Sequence, residues 1–186
     1  MSRLKVVNPP GENFDYMSCN TQLLGFILKK ATGKTISDYA SEKLWTPIHA
    51  EHNAQWSLAH NNGSEKAYCC MYSNARDFAR IGKLYLDSGR WNGKQIVSEN
   101  YVLNSISPAP VLDNGQPNKI YGYQWWLDEK ENHKIFYARG ILGQYIIVIP
   151  YEKIIIVRLG KQRDKTPDGV LMDFPIYFEE VLKMYE

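Results

Sequence analysis

The sequence predicts an α+β fold, helices first and an antiparallel sheet afterwards, and three observations carry that prediction. Helical periodicity dominates from about residue 10 to 110. Runs rich in aromatic and β-branched residues replace it from about residue 120. An amphipathic stretch then closes the chain, as expected of a helix laid over a sheet.

The elements follow in order. After the turn-forming loop NPPGENFDY, Asn20 or Thr21 is expected to cap a helix carrying Leu23, Leu24, Ile27 and Leu28, with Gly33 as its stop. TISD, Thr35 to Asp38, reads as a capping box for a second helix with Ile36, Tyr39, Ala40 and Leu44 on one face, ended by Pro47. Residues 49–72 look irregular, with a turn at HNNGS. A third helix is expected from Ser73 or Asn74, burying Phe78, Ile81 and Tyr85 and closed by Gly89. Asn92-Gly93 signals a tight hairpin, and Ser98 opens a short helix.

YGYQWWLD, KIFYARG, QYIIVIP and KIIIVRLG then give four strand-like runs, the last two joined tightly at Pro150 and therefore antiparallel. FPIYFEEVLKMY supplies the terminal helix, with Phe178, Val181, Leu182 and Tyr185 along one stripe.

Bulk properties narrow the function. With 186 residues, 44% hydrophobic and 23% charged, the chain has the size and composition of one folded domain. A formal charge of +2 without any Lys/Arg-rich run gives no nucleic-acid footprint, and the apolar runs are too short to span a bilayer. The opening residues lack the apolar core of a signal peptide, so the polypeptide as given is expected to be cytoplasmic, while an export signal would lie upstream. Cys19, Cys69 and Cys70 show no metal spacing and no disulfide framework; adjacent Cys69 and Cys70 read as small buried residues. The four histidines stand at no ligand spacing, and no cofactor or metal is implied. Trp125 and Trp126 are strand neighbours, so at most one can face a given cavity.

Longer stretches carry a resemblance. FDYMSCNTQLLGFILKKATGKTISDYASEKLWTPI resembles the segment around the tyrosine motif of the serine β-lactamase-like hydrolases. That family includes class C β-lactamases, penicillin-binding carboxypeptidases, family VIII esterases and nylon-oligomer hydrolases. NARDFARIGKLYLDSGRWNGKQIV resembles the helix and hairpin that follow, and YGYQWWL with YARGILGQYIIVIPYEKIIIVRLG the last strands, nearest the nylon-oligomer branch. The likeness runs in order from about Pro9 to the terminal helix. It implies that residues 1–186 are the C-terminal part of such a domain.

In that family a serine in S-x-x-K attacks a carbonyl, the lysine assists, and a tyrosine in Y-x-N or Y-x-S relays the proton. The resemblance places Tyr16 of Y-M-S at the tyrosine and Ser18 at the third position, where serine is similar to the nylon-oligomer hydrolases. The third motif, K-T-G and one residue more, aligns with Ala138, Arg139, Gly140 and Ile141. Gly140 would let the strand approach the acyl group, and the Ile141 N–H would be an oxyanion donor. Ala138 stands where many members keep a carboxylate-reading lysine. Arg139 is the candidate substitute, although a neighbouring strand residue points to the opposite face. The plainer alternatives are that Tyr16 packs, Ser18 caps a helix, and Gly140 and Gly143 are turn glycines.

The single literal S-x-x-K, Ser2 to Lys5, is followed by Pro9-Pro10, which stop a helix, and only 13 residues separate Ser2 from Tyr16. It is not expected to be the nucleophile. A free phenol titrates near about 10, so a tyrosine relay lacking its neighbouring lysine has little to act with. The expectation is a hydrolase portion inactive alone, whose complete protein takes a small ester or amide. Apolar surface left open would call for the missing N-terminal half or for self-association. A non-catalytic remnant or interaction protein is the alternative.

Overall fold

The computed structural model of the chain describes residues 5–6, 8–130, 132–162 and 173–184. Five α-helices follow in order: α1 (Ser18–Thr32), α2 (Ile36–Ala40), α3 (Ala75–Leu86), α4 (Glu99–Ser105) and α5 (Asp173–Leu182). A π-helical turn, Ser41–Trp45, continues α2.

Three small hairpins punctuate the helical half: β1 (Gln55–Trp56) with β2 (Met71–Tyr72), β3 (Arg90–Trp91) with β4 (Lys94–Gln95), and β5 (Leu112–Asp113) with β6 (Gln116–Pro117). The main sheet comprises β7 (Trp126–Lys130), β8 (His133–Arg139), β9 (Gln144–Ile149) and β10 (Ile154–Leu159), in the order β10-β9-β8-β7 and antiparallel throughout.

Local chemistry explains most boundaries. Thr35 caps α2 by accepting the Asp38 amide and donating its hydroxyl to the Asp38 carboxylate. Asn74 accepts the Asp77 amide at the start of α3, and Ser98 accepts the Tyr101 amide at the start of α4. Asn92 and Gly93 both take positive φ, the type I′ geometry that joins β3 to β4. Asn114 and Gly115 repeat it between β5 and β6, a hairpin the sequence reading passed over although it carries the same Asn-Gly signal.

Period-2 alternation sorts the sheet into two covered faces. Ile135, Tyr137, Tyr145 and Ile147 pack against Phe174 and Phe178 of α5. Phe136 and Val148 face the other way, towards Trp125 and the Ile81 and Tyr85 side chains of α3. Gly82 lets α3 settle onto that face: a Cβ there would stand 2.9 Å from Ile155 and 3.2 Å from Ile146 and Val148. A third cluster, Ile48, Leu84 and Trp91, ties α3 to the π-helical turn and the β3–β4 hairpin.

Some expectations need correction. Helix α1 begins at Ser18, with Met17 at its N-cap and no side-chain cap, so neither Asn20 nor Thr21 caps it. Its apolar stripe is not core: Leu23, Leu24 and Ile27 are about half exposed, and Gly25 is its buried residue. The reason is polar anchoring on the opposite arc. Gln22 donates to the Glu65 carbonyl and accepts the Ala67 amide, while Gly25 lies so close to Ala67 and Ile36 that a Cβ would stand 2.7 and 2.8 Å from their side chains.

Cys69 and Cys70, expected as unlinked residues, form a disulfide across the peptide that joins them. Residues 49–72 are more ordered than expected: the β1–β2 pair closes over the bridge Leu58–Glu65. Helix α5 follows the expected stripe through Phe178, Val181 and Leu182; Tyr185 lies outside the described residues. Ser2 of the S-x-x-K also lies outside them, while Lys5 is exposed and not helical.

Candidate active site

The segment before α1 is pinned to β5 of the third small hairpin. Asn13 forms a parallel bridge with Leu112, in which the Phe14 amide donates to the Leu112 carbonyl and the Leu112 amide to the Glu12 carbonyl, both at 2.7 Å. Phe14 then stacks on Tyr121 at 4.9 Å between centroids, and Tyr16, two residues on and about half exposed, packs edge-on to the same ring at 5.8 Å.

Tyr121 is itself held by Asn118. This buried side chain donates to the carbonyls of Ala109 and Tyr121 and accepts the amides of Ile120 and Tyr121. A bridge to Trp126 carries the turn into β7.

Trp126 is the meeting point. Its ring lies 5.2 Å from that of Tyr16 and 5.0 Å from that of Tyr121, and the Arg139 guanidinium sits 4.1 Å above it. The tryptophan pair thus divides as strand alternation requires: Trp125 turns to Tyr85 and Phe136 under α3, Trp126 to the tyrosines.

Alternation separates Ala138 from Arg139 in the same way. Ala138 packs in the α3-side cluster, whereas Arg139 shares the face of Trp126 and Tyr137. The arginine's opposite orientation, read from sequence as counting against it, is what brings it to the tyrosine side. No acidic side chain pairs with Arg139 among the described residues.

Beyond Arg139 the strand ends in a turn. The Gly140 amide donates to the Gln144 carbonyl at 2.8 Å, and the Leu142 amide to the Gln144 side chain at 3.1 Å. A Cβ on Gly140 would come within 2.3 Å of the end of that side chain, so a larger residue there would displace the Gln144 amide from the turn. Ile141 projects at 81% exposure, and its amide has no acceptor among the described residues.

Ser18, the first residue of α1, is exposed and caps nothing, which removes the capping alternative. Gly143 has a φ of 77°, in keeping with a turn glycine. Burial pushes the Tyr121 phenol well above its ordinary range, with the Tyr16 phenol adding to the effect and Arg139 opposing it. Burial likewise pushes the Tyr137 phenol up to about 12, so both phenols stay neutral at neutral pH.

Sequence reasoning named Tyr16, Ser18 and the 138–141 stretch as candidates, but not the neighbouring Tyr121 and Asn118 or the packing role of Trp126. Alternation across Trp125-Trp126 was the available signal for the last. Nothing in the sequence announces Asn118, whose role exists only once the turn is formed. No group of His, Cys, Asp and Glu among the described residues is placed to hold a metal ion. No helix among them is long and apolar enough to cross a membrane.

Comparisons with known proteins bear on the family and the fold. The family model described as Beta-lactamase matches residues 1–176. A 6-aminohexanoate-dimer hydrolase from Paenarthrobacter ureafaciens is 30% identical over 176 residues, covering 86% of this chain and 44% of that protein. A solved structure from Bacillus anthracis, provisionally described as a 6-aminohexanoate-dimer hydrolase, superposes with a TM-score of 0.83 at 27% identity. It takes in 97% of this chain and 45% of its own. A beta-lactamase from Mycobacterium bovis gives a TM-score of 0.73 at 18% identity, which speaks for the fold alone, and there the match covers 68% of the solved chain. The chain spans about half the length of the hydrolases it matches.

Proposed function

Since the chain belongs to the beta-lactamase family, we propose that it supplies the proton-relay and carbonyl-binding portion of a serine hydrolase acting on small amides or esters. The observation that carries the reading is the convergence on Trp126. The tyrosine before α1 and the arginine at the end of β8 are far apart in sequence and both pack against one indole.

In this reading Tyr16 moves the proton between the attacking hydroxyl and the leaving group, with Ser18 two residues beyond it at the start of α1. The Ile141 amide, unengaged and exposed just past the strand, donates to the oxyanion. Arg139 offers a guanidinium with no acidic partner among the described residues to an acidic end of the substrate, taking over from the lysine that Ala138 replaces. The likeness to proteins described as 6-aminohexanoate-dimer hydrolases favours an amide or ester carbonyl as the reacting group.

The attacking serine and its lysine are assigned to polypeptide outside these 186 residues. Alone, the chain is expected neither to hydrolyse a chromogenic ester above background nor to take up a fluorophosphonate probe. Peptide mapping of the probe-treated chain is the test. A label on any serine between residues 1 and 186 would refute the assignment, and Ser2 and Ser18 are the positions to inspect first.

A further inference from the structure

Cys69 and Cys70 are chain neighbours, so their disulfide closes no loop and does little to constrain the unfolded chain. Its effect is local. Cys70 stands at a φ of 70°, in the left-handed region that residues with a Cβ ordinarily avoid. The backbone around it is committed on both sides. The Cys69 amide donates to the Lys66 carbonyl and the Ser57 amide to the Cys70 carbonyl, both at 3.0 Å. The Trp56 indole donates to the carbonyls of Lys66 and Cys69, at 3.0 and 2.9 Å. Both cysteines are partly exposed, and the flanking Tyr68 and Tyr72 are exposed.

The same short segment seats two helices. Glu65, which is buried, accepts the Ser37 amide of α2 with its carboxylate. The Ala67 amide donates to the Gln22 side chain of α1 at 3.0 Å. Gly25 of α1 packs so closely on Ala67 that a Cβ there would stand 2.7 Å from the alanine methyl. Ala67 is two residues from Cys69, so the backbone that the disulfide sets is the backbone on which α1 rests.

We propose that Cys69–Cys70 is a redox site, opened by a dithiol reductant, whose state sets how firmly α1 is seated. A cross-link that staples nothing distant, stands within reach of solvent and holds a left-handed residue beside two helix contacts is suited to exchange. One thiolate of the reductant attacks a sulfur of the pair, the S–S bond breaks, and the released cysteine thiolate takes up a proton. The reductant's second thiolate then attacks the mixed disulfide and frees the other cysteine, which is protonated in turn. The reductant leaves as its own disulfide, having given up two electrons. With the ring open, Cys70 is no longer held at positive φ and relaxes towards the ordinary region. That turns the 69–70 peptide away from Trp56 and loosens the hold of Ala67 on Gln22. The inference stands apart from the hydrolase reading, because every readout is taken on the chain alone.

The test adds dithiothreitol to the folded chain. Iodoacetamide trapping read by mass counts the thiols, and amide exchange is followed by nuclear magnetic resonance at the Ala67 amide and the Trp56 indole. Trapped thiols should rise from one to three with the far-ultraviolet circular dichroism unchanged, and both protons should exchange about tenfold faster or more. Cys69→Ser with Cys70→Ser should exchange at the fast rate with or without reductant. Cys70→Gly, which accepts the same φ without the ring, should exchange slowly in both conditions. Thiols freed with exchange unchanged would overturn the proposal. So would a pair that is reduced only as the chain unfolds, or a Cys70→Gly chain that exchanges as fast as the double serine variant.

Discussion

At the scale of single residues, Asp77 is the strongest polar commitment in the fold. It is fully buried and accepts the amides of Glu51 and His52 and the side chain of Asn74, at 2.7 to 3.0 Å. Burial opposes its ionisation, but those hydrogen bonds outweigh it and hold the carboxyl below its ordinary range. A depressed carboxyl contributes stability that is complete above the unfolded value of about 4 and lost as pH falls through the lower folded value. Thermal melts should therefore weaken on acidification from about pH 4 downward. Asp77→Ala should cost about 2 kcal/mol at neutral pH and flatten part of that acid limb, because three donors lose their buried acceptor. Glycines give a sharper contrast. Gly89→Ala sets a Cβ 2.1 Å from the Val97 carbonyl at a φ of 80°, whereas Gly93→Ala meets the same φ with nothing within 4 Å. Chemical denaturation should show roughly 1 kcal/mol lost at Gly93 and at least about 2 kcal/mol more at Gly89. For the cysteines, alkylation of the folded, unreduced chain should modify Cys19 and spare Cys69 and Cys70 until a reductant is added; modification of all three without reductant would contradict the disulfide.

At the scale of elements, legibility followed the locality of the signal. The caps at Thr35, Asn74 and Ser98, the Asn92-Gly93 turn and the strand alternation were readable because each is decided within a few residues. Helix α1 was not, because its orientation is set by Gln22 reaching Glu65 and Ala67, more than 40 residues away. The disulfide also escaped, since adjacent cysteines fit no spacing rule. At the candidate site, Tyr16 and the end of β8 were legible through family likeness, but the indole that joins them was not, because contact between the chain before α1 and β7 exists only after folding. The joint can be measured directly. A double-mutant cycle of Trp126→Ala with Arg139→Ala should give a coupling of about 0.5–1 kcal/mol in denaturant melts. A coupling of zero would mean that the guanidinium contact adds nothing to the fold.

At the scale of the whole molecule, the paired helical and sheet halves are firmly joined through α3, whose Ile81 and Tyr85 reach the sheet while Leu84 reaches the π-helical turn. The chain should accordingly unfold in one transition, with tryptophan fluorescence and far-ultraviolet circular dichroism superimposing. Separate midpoints would show that the halves melt independently. The asymmetry between the ends of the sheet has its own consequence for how such a chain behaves at high concentration. With one apolar margin, at β10, and one guarded by Asp128, Glu129 and Lys130, strand addition has a single direction and then nowhere to continue. Even misdirected pairing between copies would close two by two, back to back, and halt as a discrete particle, so propagation into filaments is blocked by three side chains.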